Sequence, residues 1–190
     1  MLNDKVKELI KKSRIISFDW QDYPSAVVSV FQQADQDGRY LTDEDFQRIN
    51  SLLPDLESGL AQGRLLRDHA VEIVSNARAV VLDAHPNITE PGGGLYPPVR
   101  AEACWRDFWH FLRCISYGVS AQRLDYTSEL GLGYMEQLYQ ELQVPLDAMI
   151  LGLEQLQVFG LRLFEPEQQE QLEPYFDQLI DAMSKFSKVT

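Results

Sequence analysis

A chain of 190 residues that is 45% hydrophobic, with nine Phe, eight Tyr and three Trp, has the apolar surface to build one core, which excludes a disordered protein. Its formal net charge of −12 disfavours phosphate backbones and anionic bilayers, so nucleic acid is not an expected partner. No apolar run approaches the ~20 residues that span a bilayer, charges break up the N-terminus, and two cysteines make no disulfide framework; the expected setting is cytoplasmic and reducing, with no membrane-spanning segment.

Turn signals divide the chain into helices, and no segment reads as a strand. Val6, Leu9, Ile10 and Ile16 recur at helical spacing over 4–17. The basic residues Lys5, Lys7, Lys11, Lys12 and Arg14 there read either as a solvated face or as a contact for an acidic partner. Pro24 opens a second helix through Val30 and Phe31, which Gln36-Asp37-Gly38 ends. Thr42 with Asp45 forms a capping-box pattern before Phe46, Ile49 and Leu52, and Pro54 kinks or restarts that helix. A stripe from Leu66 to Val81 predicts one helix over about 65–84, closed by His85-Pro86. The breakers Pro91-Gly92-Gly93-Gly94 and Pro97-Pro98 make a loop. Helices over 99–121, 127–143 and 146–163 follow, and Glu165-Pro166 opens a last one ending near Phe186. The fold class is all-α, either globin-like or a four-helix bundle.

One stretch concentrates chemistry. Arg100 to Cys114 carries two thiols, two carboxylates, basic residues and four aromatics on one predicted helix, directly after the Gly/Pro loop. Cys104 and Asp107, three apart, share a face flanked by Phe108 and Phe111. A sulfur to tether, a carboxylate to accept hydrogen bonds and flat apolar walls suit a large conjugated ligand. The same pattern also suits plain core, since Cys is among the most buried residues. Cys104 and Cys114 lie ten positions apart, roughly 15 Å along a helix, too far to bridge.

The order of motifs settles more than any one of them. Cys104-x-Arg106-Asp107 followed by Leu112-Arg113, the preceding Pro91-Gly92-Gly93 with Tyr96, and the following Tyr117, Glu129-Leu130-Gly131-Leu132, Tyr139, Leu142 and Pro145 run in register. Ala34-Asp35-Gln36-Asp37-Gly38-Arg39-Tyr40-Leu41 precedes them. Over about 25–157 the chain resembles the phycobiliproteins, most closely their allophycocyanin branch. The resemblance implies a globin-like phycobiliprotein fold with an N-terminal helical hairpin, here with extra terminal helices: an extension over 1–23, a bilin-binding domain over 24–163 and a second extension over 164–190.

It also implies roles, position by position. Cys104 matches the cysteine that forms a thioether to a phycocyanobilin-like linear tetrapyrrole, Asp107 the carboxylate at its central pyrrole nitrogens, and Arg106 the partner of a propionate. Tyr139 matches a pocket aromatic, beside Phe108 and Phe111. Asp35 and Arg113, with Arg39 close by, match residues that pair between subunits. A homodimer or a heterodimer with another phycobiliprotein-like subunit is therefore expected, with a phycobilisome or a signalling protein as further partner and the cytoplasmic face of the thylakoid membrane as the place. No enzymatic activity is expected: the residues show no nucleophile–base pair and no metal-ligand spacing.

The chain also departs from the family. Gly94 stands where β-type subunits carry a methylated asparagine, Val99 where a basic residue is common, and Trp109-His110 where other types are typical. The terminal extensions would redirect assembly. Two other readings stay open: a pigment-free interaction or regulatory protein on the same scaffold, and a haem sensor using His110.

Overall fold

Apolar spacing and capping place nine α-helices among the residues that the computed structural model describes, 3–187. They are α1 Asp4–Lys12, α2 Ser25–Gln36, α3 Asp43–Leu52, α4 Glu57–Asp68, α5 Ala70–Ala84, α6 Pro98–Ser120, α7 Glu129–Leu142, α8 Leu146–Leu161 and α9 Pro166–Ser184. No strand occurs among the described residues, only an isolated antiparallel bridge between Ile16 and Thr127. The ends of the expected extensions, residues 1–2 and 188–190, lie outside the described residues.

Local chemistry accounts for most helix starts. Asn3 Oδ1 accepts from the Val6 amide at 2.8 Å. The expected box at Thr42 is present with Asp in the third position: Thr42 Oγ1 accepts from Asp45 N at 3.2 Å, and Asp45 Oδ2 from Thr42 N at 2.9 Å. Proline stands in the first turns of α6 and α9, where a missing N–H costs nothing. Pro54 opens a short 3-10 turn, Pro54–Leu56, that restarts the chain into α4.

Two helix boundaries differ from the sequence reading. The segment 4–17 is helical only to Lys12; Ser13 closes it by donating to the Leu9 carbonyl at 2.7 Å. Residues 15–17 then run alongside 126–128, where the Ile15 carbonyl accepts from Ser128 N at 2.7 Å and the Tyr126 carbonyl accepts from Ser17 N at 2.8 Å. The stripe over 65–84 divides at His69 into α4 and α5. No breaker sits there. The two halves have different partners: α4 packs on α6, with Arg64 and Arg67 stacked on Phe46 of α3, and α5 packs on α8. The chain must turn between them.

Helix α6 runs through the middle, in contact with α4, α5, α8 and α9. All its residues from Phe111 to Ser120 are buried. Both terminal extensions join the same core: Ile15, Ile16 and Trp20 at one end, Phe176, Leu179 and Met183 at the other. Trp20 meets Phe31 edge-on at 5.2 Å. A smaller cluster of Val6, Leu9 and Leu138, backed by Tyr134 and Leu142, seats α1 on α7. Burying each such side chain contributes about 1.5–3 kcal/mol toward holding the helix in place.

Candidate functional site

The two faces of α6 have different neighbours. Phe108 points into the protein, against α8, where a Cβ at Gly152 would stand only 2.0 Å from its ring. The adjoining face, carrying Cys104, Asp107 and Phe111, opens on a cavity of about 870 Å³. Helix α7 supplies a second wall through Met135, Leu138, Tyr139 and Leu142, and the loop before α6 a third through Leu95. The chain from Ile10 to Ile16 supplies a fourth. That loop is fixed by its glycines. Gly92 has φ +93°, which an L side chain resists, and a Cβ on Gly93 would lie 2.2 Å from the Asn87 carbonyl oxygen.

Of the residues singled out in the sequence, Cys104, Arg106, Asp107, Phe111 and Tyr139 line this cavity. Phe108 does not; fully buried, it packs against Gly152 and Trp105 beside the cavity. Cys104 is 4% exposed, with Sγ 2.9 Å from Sδ of Met149, and burial together with the charge of Asp107 pushes its thiol far up. Burial raises Asp107 to about 6, against the lowering effects of Tyr139 and Arg106. Tyr139 Oη donates to Asp107 Oδ2 at 3.3 Å. Arg106 is exposed and has no hydrogen bond or ion pair among the described residues, so its guanidinium is available to an anionic group.

Asp35, Arg39 and Arg113 come together within the chain. Arg113, 6% exposed, donates to Asp35 Oδ1 at 2.8 Å and to Tyr117 Oη at 2.9 Å, and Tyr117 donates in turn to the Arg39 carbonyl. Asp35 Oδ2 also accepts from Arg14 at 3.3 Å. Arg39 is held by Asp45 at 2.6 Å. The basic residues of α1 are mostly paired locally, Lys7 with Asp4, Lys12 with Glu8 and Lys5 with Glu141 of α7.

His110 also lines the cavity. Its Nδ1 is buried without a hydrogen-bond partner, and burial, then Arg113 and Arg106, lower its pKa to about 4. An imidazole so placed is neutral at physiological pH and free to bond a ligand. No cluster of three metal-ligating side chains occurs among the described residues, and no helix there is long and apolar enough to cross a membrane.

Sequence reasoning missed Met149 and the N-terminal wall. Met149 gives no signal, being one apolar residue in an apolar helix. Ile15 and Ile16 were visible as apolar but were read as helical.

The order of these residues along the chain matches a known family. The sequence model of the phycobilisome protein family covers residues 29–183. The chain belongs to that family. Its members are light-harvesting pigment proteins and not enzymes, in keeping with the absence of an expected activity. Among curated relatives, this phycobilisome protein is 28% identical over 160 residues to an allophycocyanin alpha chain of Mastigocladus laminosus. It is 30% identical over 160 residues to allophycocyanin subunit alpha-B of Synechocystis and 28% identical to the alpha-B chain of Cyanophora paradoxa. These alignments take in 99–100% of the relatives but 84% of this chain, and the family match begins only at Val28's neighbour Ser29. Helix α1 and the strap that follows it lie before that point.

Proposed function

We propose that this phycobilisome protein carries an open-chain tetrapyrrole, a bilin of the phycocyanobilin type, attached through Cys104, and that it absorbs light in an antenna or a photosensor. The observation that carries the reading is a cavity on α6 that has sulfur, carboxylate, phenol and a free guanidinium on its walls. Its volume of about 870 Å³ falls within the roughly 300–1,000 Å³ of small-molecule sites. The pigment supplies visible absorption; the residues hold it. The Cys104 sulfur adds to a side-chain double bond of the ligand: an S–C bond forms, the C=C π bond is lost, and the thiol proton passes to the adjacent carbon. No oxidant is needed. Asp107, half-buried with its pKa raised to about 6, gains from a cationic neighbour, which returns its pKa toward the ordinary range. Arg106 pairs a carboxylate of the ligand, and Tyr139 orients Asp107. Partners are further phycobiliprotein-like subunits, and the expected place is the cytoplasmic face of the thylakoid membrane.

A second reading, a pigment-free scaffold, is favoured by one observation: the Cys104 sulfur rests on Met149 and must leave it to react. Production in cells that make phycocyanobilin separates the two. The pigment reading expects zinc fluorescence of the denatured wild-type chain and its loss in Cys104→Ala. A wild-type chain without that fluorescence, or a Cys104→Ala chain that retains it, overturns the assignment.

A further inference from the structure

The segment from Ile10 to Ile16 belongs to the chain outside the family match, yet it lines the cavity of Cys104 and Asp107. It is held there by several independent means. Val6 and Leu9 pack on Leu138, Lys12 lies over the Tyr134 ring at 5.2 Å, and residues 15–17 bond to 126–128. Arg14 reaches Asp35 at 3.3 Å, and its carbonyl oxygen lies so near α7 that a Cβ at Gly131 would approach it to 1.7 Å. The segment is therefore a fixed wall.

The wall presents an unsatisfied apolar surface. Ile10 is 49% exposed and Val99, at the start of α6, is 67% exposed; both line the same cavity from different elements. Large aliphatic side chains on two sides of one opening lower their free energy if an apolar body lies between them. Arg14 adds a cation at the rim, so the wall offers both a nonpolar and a positively charged contact.

We propose that the N-terminal segment 4–16 is a built-in wall of the ligand site, closing the cavity over the pigment within one copy of the chain. The inference rests on the pigment reading. It assigns ligand contact to Ile10 and Arg14 and explains why a short helix lies across α7.

The test uses phycocyanobilin as probe with three proteins: the full chain, Ile10→Glu, and a chain lacking residues 2–12. Zinc fluorescence of the denatured proteins reports attachment, and all three are expected to show it, since Cys104 is untouched. The wall is read separately. The ratio of visible to near-ultraviolet absorbance, which follows how rigidly an open-chain pigment is held, is expected to fall about two-fold or more in both altered proteins. In the full chain, loading is expected to slow amide hydrogen exchange over residues 7–16. Attached pigment with an unchanged absorbance ratio in Ile10→Glu, or equal exchange rates with and without pigment, overturns the wall. Ile10 is half exposed, so its variant remains informative if the truncated chain fails to fold. Absence of zinc fluorescence from all three overturns the pigment reading and the wall with it.

Discussion

The phenol of Tyr139 donates to Oδ2 of Asp107 at 3.3 Å, joining α7 to α6 across the cavity. Behind that phenol, Phe186 meets the Tyr139 ring edge-on at 6.3 Å, so the end of the chain backs the contact. One long hydrogen bond is a weak return for a carboxyl group taken out of water. Burial wins, and the carboxyl titrates near 6.

Asp107→Asn is therefore expected to stabilise the pigment-free protein at pH 7. The folded-state pKa of Asp107 is raised above its ordinary value of 3.8, so its favourable contribution is complete below pH 3.8 and is lost as pH rises through 6. A shift of this size corresponds to at most about 3 kcal/mol at neutral pH. Urea unfolding at pH 4 and pH 7 checks it: the gain appears at pH 7 and is absent at pH 4. Equal effects at both pH values would refute the cause given.

Asp35 serves two arginines of unequal importance. Arg113 is nearly inaccessible, whereas the Arg14 side chain is 59% exposed. Asp35→Ala leaves a buried guanidinium uncompensated and is expected to cost about 3–5 kcal/mol. Arg14→Ala is expected to cost less than about 1 kcal/mol. Chemical denaturation of the two variants distinguishes them, and similar losses would contradict the arrangement.

Two glycines of α7 give a matched pair. At Gly131 a Cβ would strike the Arg14 carbonyl, but at Gly133 nothing stands within 4 Å. Gly131→Ala is expected to displace the N-terminal strap, with faster amide exchange at Ser17 and Ser128, and to destabilise the fold. Gly133→Ala is expected to stabilise it by up to about 1 kcal/mol through helix propensity. The same sign of change in both would show that the strap does not bear on α7.

The helical class, the loop at Gly92-Gly93 and the common face of Cys104 and Asp107 were readable because each depends on spacing within a few residues. The break at His69 was not, since it reflects two packing partners and no local breaker. Phe108 is expected on the ligand face because it flanks Cys104 and Asp107; it lies about 100° round the helix from Asp107, and packing against Gly152 of α8 turns its ring away from the cavity. Asp35 and Arg113 were identifiable as a pair, and within the chain Arg113 donates to Asp35 at 2.8 Å.

Phe108, wedged against Gly152, has a further effect. Any conjugated open-chain molecule seated on the adjoining face of α6 would rest beside a surface that cannot yield without disturbing the protein's centre. Twisting about its methine bridges is the route by which such a molecule turns absorbed light into heat, and an unyielding backing narrows that route. On the pigment reading, emission efficiency would thus be governed partly by a contact the ligand never touches.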